Sequence, residues 1–533
     1  MYLNSDDINL NIYGVYIIKT FIIKNDKLNN DNDNDNDSLD ILISQLSKEY
    51  LLLLTNLLNK NNKNLSFEIL NILINISYKK SGELLFGEEE KVITNISNFV
   101  INNKSDIILL YYGVILIKNI TYKMELVRQI LLENKIIDFF NEIYLNYIIY
   151  DNFMKNLILC IGHFISSRCQ DKSIYTSIKI IKTQLTININ VELLFRYVYI
   201  LYNLSSYNYD KYEQEMIKNK IHEDLMRIYP FNKQNSNDTN INKELNNQNN
   251  NSIIVDEKND EKYYKNLCIF ILLILGKLLS SEKKEIIKNL IESGVGIFLK
   301  KVLESSDIKI IKFSFFCLSN ICAGAYGHIS YLFDKGVIFE AIKVATYIYE
   351  ILDSKNAFIK PVLTEDFIKA FREIIYTLSL IIINSLYERV IPFVRNNNYI
   401  IIKMLLKGLI IFNENNINGN NKDLIIYILN AIYKLIEYDK DKDDDEEMSK
   451  GHIRFSYFLE KNGFKEILEK LQTNNDSTIS DTAEKIFDIL FDDDDDNNEI
   501  NIDDIVDDNP ENNNDNNSNN DNDTNDDNDI NED

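Results

Sequence analysis

Histidine, cysteine and carboxylate are the side chains that bind metals or move protons, and in this chain they form no recognisable site. The four histidines, His163, His222, His328 and His452, are scattered and stand at no zinc-ligand spacing from a cysteine. The five cysteines, Cys160, Cys169, Cys268, Cys317 and Cys322, lie mostly inside apolar runs, are odd in number and contain no CxxC pair. That pattern reads as buried free thiols in a reducing compartment. Acid runs at 443–447 and 492–496 lack the turn glycine and ligand spacing of a calcium loop, so they read as solvated charge. There is no phosphate-cradling glycine loop and no nucleophile elbow. The pattern supports no catalysis and implies no cofactor. One side chain does recur at a regular interval: the amide of asparagine.

Aligned on Asn320 in CLSNICAG, similar helix ends place Asn75 in ILINIS, Asn119 in ILIKNIT, His163 in LCIGHFI and Asn203 in YILYNLSS. Lys277 in LILGKLLSS, Asn384 in SLIIINSL and Lys434 in LNAIYKLIEY continue the series. The intervals are 44, 44, 40, 74, 43, 64 and 50 residues. Removing a polar insert from the 74 leaves 42, and an enlarged loop around Pro361 accounts for the 64. Gly294 and Gly336, in ESGVGIF and DKGVIFE, agree at a separation of 42. A period near 42 with about three helices per unit is the armadillo/HEAT signature.

The elements that must carry this ladder are legible too. From Leu39 onward apolar residues recur at three and four, and only four prolines interrupt 533 residues. Residues 313–340, FSFFCLSNICAGAYGHISYLFDKGVIFE, show one unit: three apolar helical runs separated by AGA and DKG turns. Such a unit cannot bury its apolar faces alone and needs neighbours.

The map that follows has residues 1–38 as an N-terminal segment, of which 1–24 form a docked helix or a hairpin and 25–38 a polar linker. Helical repeats fill 39–230 and 263–438, separated by a disordered insertion at 231–262. An acidic loop at 439–450 precedes a closing repeat at 451–491. Residues 492–533 hold no Lys or Arg and read as a disordered acidic tail.

A net charge of −25 disfavours nucleic acid and anionic membrane surfaces and favours basic partners. The longest apolar runs, near 266–279 and 374–386, fall short of a membrane span, and the start of the chain carries no convincing signal peptide. The chain reads as soluble and intracellular, with no membrane and no direct nucleic-acid partner.

Over roughly residues 65–496 the chain resembles importin-α, the armadillo-repeat adaptor family of nuclear import. CLSNICAGAYGHISYLFDKGVI is similar to that family's repeat, and LNAIYKLIEY to its late-repeat helix. FLEKNGFKEILEKLQTNNDSTISDTAEKIFDILFDDDDD is similar to its closing repeat and acidic tail. The resemblance implies an all-α, right-handed armadillo superhelical solenoid working in cytoplasm and nucleus. It also implies a concave groove whose amides hold extended basic segments of the nuclear-localisation-signal type.

Carried over residue by residue, Asn75, Asn119, Asn203, Asn320 and Asn384 keep the family's groove amide, while His163, Lys277 and Lys434 replace it. The family places Trp four residues before each amide; this chain has no Trp, and only Tyr199 and Phe316 are aromatic there. An asparagine at a helix end also caps, and a lone Tyr or Phe reads as core packing, so the groove reading rests on five amides in phase. Residues 1–60 hold no Arg and only scattered Lys. The basic segment through which the family recruits importin-β is therefore missing, and that partner is not expected by that route. Two other readings stand beside the adaptor: a non-transport armadillo scaffold, and an acidic chaperone-like binder of basic proteins.

Overall fold

In the computed structural model, the described residues are 11–20, 48–229 with short breaks, 257–353, 365–414, 421–440 and 453–491. The linker at 25–38, most of the insertion at 231–262, most of the acidic loop at 439–450 and the tail at 492–533 lie outside them, as does Cys169.

Among the described residues the named secondary structure is entirely helical, and the helices follow the sequence period. Helix α1 covers residues 11–20. It docks by burying Asn11 and Val15 and by the Lys19–Glu68 ion pair at 2.5 Å, which settles the N-terminal choice for helix over hairpin. Two units of paired helices follow: α2 (Lys48–Leu58) with α3 (Lys63–Ser77), and α4 (Glu90–Asn102) with α5 (Ile107–Thr121). A three-helix unit, α6 (Glu125–Glu133), α7 (Ile136–Ile143) and α8 (Asp151–Ile165), comes next. The pair α9 (Asp171–Ile187) and α10 (Val191–Tyr207) follows it.

From there every unit has three helices. They are α11 (Tyr209–Lys218), α12 (Ile221–Ile228) and α13 (Glu257–Leu279), then α14 (Lys284–Glu292), α15 (Val295–Val302) and α16 (Ile308–Cys322). Next come α17 (Tyr326–Asp334), α18 (Val337–Asp353) and α19 (Glu365–Asn384), then α20 (Tyr387–Asn396), α21 (Ile400–Glu414) and α22 (Lys422–Lys440). Helices α23 (Phe455–Lys461), α24 (Phe464–Gln472) and α25 (Ser477–Phe491) close the array. Helix α13 begins at Glu257, inside the stretch read as an insertion.

The last helices of the units, α3, α5, α8, α10, α13, α16, α19, α22 and α25, stack each on the next into one continuous wall. A single apolar core runs the length of the stack, because each helix buries its stripe between two neighbours. Across the insertion the two halves are clamped directly. The buried Glu213 carboxylate on α11 accepts from Ser281 Oγ at 2.9 Å and Lys283 Nζ at 3.3 Å. Such clamping keeps the ends of a long insertion together, where lengthening a loop costs little.

Within each three-helix unit the turn between first and second helices uses a left-handed residue at the same place. Gly294, Gly336 and Gly463 serve α14/α15, α17/α18 and α23/α24. The earlier units use Lys135 (φ 58°) and Lys220 (φ 56°), and α20/α21 uses Asn398 and Tyr399. Sequence reading finds the glycine turns; the lysine turns carry no local signal.

Candidate functional site

The stacked wall presents a solvent-facing stripe from each last helix, and its two edges are held by different chemistry. At the N-terminal edge, lysines of one helix pair with carboxylates of the next: Lys63–Asp106 at 2.6 Å, Lys155–Glu192 at 2.6 Å, Lys265–Asp307 at 2.5 Å and Lys309–Asp366 at 3.4 Å. Asp106 and Asp307 also cap their own helices, accepting from the backbone N–H groups of Ile108 and Leu109 and of Lys309 and Ile310. Burial works against the Asp106 carboxylate, but Lys63 and those N–H groups outweigh it and hold the carboxyl below its ordinary value. Exposed pairs of this kind each contribute up to about 1 kcal/mol.

At the C-terminal edge sits the amide ladder, and most of its donors point at the preceding helix. Asn320 Nδ2 donates to the Gly276 carbonyl at 2.8 Å, and Asn384 Nδ2 to the Cys322 carbonyl at 2.9 Å. Lys434, standing where an amide is expected, donates to the Ile383 carbonyl at 2.9 Å and also to that of Ser385. The Cys322 and Ile383 carbonyls lie in last turns, where a helix offers no partner of its own, and the next unit supplies one; the Gly276 carbonyl also accepts from the Ser280 N–H at 3.0 Å. Earlier in the chain hydroxyls enter the joint. Asn119 Nδ2 donates to Ser77 Oγ at 3.0 Å, and His163 Nδ1 lies 3.1 Å from Thr121 Oγ1. Burial pushes His163 down to about 4, so the ring is neutral at pH 7. Lys277 reaches back as well, its ammonium 4.6 Å from the centre of the Tyr202 ring.

Asn75 and Asn203 differ from the other three. Their side chains make no hydrogen bond among the described residues, and both are half-buried at the wall surface. The residues following α8, just before Asn203's helix in the stack, lie outside those described.

The two aromatic candidates separate. Phe316 packs closely against Gly276: a Cβ built on that glycine would stand 2.3 Å from the ring. The same glycine offers its carbonyl to Asn320, so Phe316 and Asn320 together form an inter-unit joint. Tyr199 is 43% exposed and belongs to a cluster spanning α10 and α13. Its ring stacks with Phe195 at 6.2 Å and meets Phe270 edge-on at 5.3 Å. Tyr202 and Tyr263 extend the group, 5.0 Å from Phe270 and 5.6 Å from Phe195 respectively.

Sequence reasoning missed most of this cluster. Phe195, Tyr199 and Tyr202 do share one helix face by spacing, but Phe270 and Tyr263 join them only across the insertion. A second aromatic site, a cleft of about 290 Å³, opens between α5 and α8, lined by Ile108, Tyr111, Tyr112, Tyr150, Asn152 and Phe153.

The described cysteines Cys160, Cys268, Cys317 and Cys322 are buried and unbridged. Burial pushes the Cys268 thiol up to about 11 and the other three up further, which makes them poor nucleophiles. Among the described residues no group of three or more His, Cys, Asp or Glu is placed to hold a metal. No described helix is long and apolar enough to cross a membrane.

No protein-family model and no curated protein matches the chain. Solved structures do match. An engineered protein from a structural-genomics programme superposes with a TM-score of 0.56 at 13% identity, over 92% of this chain and 97% of that one. A structure from work on the interaction between cadherin and beta-catenin gives 0.52 at 10% identity, over 91% and 89%. The fold is an armadillo-repeat-like all-α solenoid. A designed armadillo repeat protein also matches, with a TM-score of 0.38 at 16% identity over 58% of this chain and 98% of that one. At such identities the likeness is one of fold, and it is not specific to importin-α.

Proposed function

We propose that the chain holds an extended segment of a partner protein against the wall of last helices, with the aromatic cluster on α10 and α13 as its main anchor. The exposed Tyr199 ring, backed by Phe195 and Phe270, is the observation that carries this reading. Broad rigid aromatic faces bind at small entropic cost. The Asn203 amide, one turn beyond Tyr199, offers two donors and an acceptor to an extended backbone. The test is selection of peptides from a random display library on the full chain, followed by Tyr199→Ala and Asn203→Ala. A loss of about tenfold or more in affinity for Tyr199→Ala is expected. Peptides that bind both variants as tightly as the parent would sink the proposal.

The narrower reading, an import adaptor for basic segments moving between cytoplasm and nucleus, draws on the phase of the amide ladder and on the amides of Asn75 and Asn203, which make no hydrogen bond among the described residues. Asn119, Asn320 and Asn384 contribute less to it, since their donors serve the neighbouring unit. A classical basic import peptide tests it directly: displacement of the selected peptides supports the adaptor, and no binding at low salt leaves the general scaffold. Pull-down of importin-β in the same preparation tests whether that partner is recruited by another route.

A further inference from the structure

The charge of this chain is distributed very unevenly. Residues 492–533 contain 19 Asp and Glu and no Lys or Arg, which is most of the net charge of −25. The middle of the wall has the opposite sign. Helices α13 and α16 carry six lysines, Lys258, Lys262, Lys265, Lys277, Lys309 and Lys312, against Glu257, Asp260 and Glu261 at the start of α13 and the capping Asp307, an excess of two positive charges. Lys265 and Lys309 keep 47% and 44% of their side-chain surface exposed while pairing with Asp307 and Asp366. Lys312 lies 4.4 Å over the Phe313 ring. Half-buried Phe270, Leu273 and Phe316 lie along the same helices.

Within the tail one run stands out from the Asn/Asp text. Residues 499–508 read EINIDDIVDD, acidic with Ile500, Ile502, Ile505 and Val506 interspersed. We infer that this run of the chain's own tail docks on the lysine-rich middle of the wall, its acids on the α13 and α16 lysines and its aliphatic residues against the intervening apolar side chains. The inference stands whether or not an outside partner uses the wall.

Reach permits it. Phe491 ends α25, the last helix of the wall, and α16 and α13 are three and four helices back along the stack. At about 8–10 Å between packed helices and roughly 15–25 Å along the helices to the lysines near their N-terminal ends, that is roughly 30–47 Å. Ile505 lies 14 residues past Phe491, and at about 3.3–3.6 Å per residue an extended chain of that length spans up to roughly 50 Å. A tethered segment acts at an effective concentration in the millimolar range, so even weak charge pairing is populated.

The experiment is zero-length carbodiimide crosslinking of the full chain at low concentration, mixing isotopically light and heavy protein, at about 50 mM and about 500 mM salt. Links from the 499–508 carboxylates to Lys262, Lys265, Lys309 or Lys312 are expected within one chain, and reduced about fivefold or more by the higher salt. Three results would overturn the inference: light–heavy links as frequent as links within a chain, links mainly to distant lysines such as Lys343 and Lys461, or no tail links. A second arm uses the full-length variant Asp503→Asn, Asp504→Asn, Asp507→Asn, Asp508→Asn, which leaves every helix untouched. A synthetic peptide of residues 499–511 should bind this variant about tenfold more tightly than it binds the parent chain. Equal affinity overturns the inference.

Discussion

The two halves of the solenoid solve the same joint in different ways. In the C-terminal half the ladder residues Asn320, Asn384 and Lys434 donate to backbone carbonyls of the preceding helix. In the N-terminal half Asn119 meets the hydroxyl of Ser77, and His163 meets the hydroxyl of Thr121 as well as the Lys118 backbone. Turns differ in parallel: glycine takes the left-handed position in three of the later units, lysine in the earlier ones. A backbone carbonyl cannot be mutated away, so the later joints depend on the donor alone. A hydroxyl already bonded elsewhere tolerates loss of its partner, and Ser77 Oγ also donates to the Ile74 carbonyl at 2.7 Å.

The largest effect should come from breaking the later type of joint at its glycine. Gly276→Ala puts a methyl group into the Phe316 ring and close to Cys317 Sγ. Overpacking of this kind costs about 1–3 kcal/mol. Hydrogen exchange along α13 and α16 should show the loss locally, and Phe316→Leu in the same chain should restore part of it. Unchanged protection there would mean that the close approach is not structural.

The next effect is pH-dependent and belongs to the N-terminal half. His163 is held at about 4, below the ordinary value of about 6.5. Between those values the unfolded chain binds a proton that the folded chain does not. Stability is therefore full above about pH 6.5 and falls as pH drops toward 4, by at most about 1.4 kcal/mol per unit from this group. His163→Asn, which restores the ladder amide, should remove that share of the slope in urea titrations compared between pH 7 and pH 5. An unchanged slope would place the acid sensitivity elsewhere.

A sharper comparison sets Asn384→Ala against Asn119→Ala. The first leaves a half-buried carbonyl without its donor and should cost about 1 kcal/mol; the second should cost a few tenths. Equal losses would erase the distinction between the halves. The smallest effect concerns the turns. Lys220→Gly should relieve left-handed strain and stabilise by up to about 1 kcal/mol, whereas Gly294→Ala should destabilise by a similar amount.

Much of the array is legible in the sequence, because each unit repeats a local pattern. The ladder positions 75, 119, 163, 203, 277, 320, 384 and 434 all fall near the ends of wall helices, and even the substituted rungs His163 and Lys434 contact the preceding unit as an amide would. The aromatic site was visible only in part. Tyr199 stood out by position, but Phe270 and Tyr263 reach it from beyond the insertion at 231–262, and no spacing rule crosses that gap. Phe316 reads as core packing from the sequence, but its neighbour, Gly276, is seen only in the structure.

Sequence alone determined the helical class, the period and the phase of the ladder, since these follow from which side chains recur at three, four and about 42 residues. Tertiary structure decided what each rung does. An amide carries two donors and an acceptor, and its own helix does not dictate whether they serve a peptide or a neighbouring carbonyl. Only the approach of the next helix settles that, by bringing Gly276 to Asn320 and Cys322 to Asn384 while leaving Asn75 and Asn203 half-buried and without a hydrogen bond among the described residues.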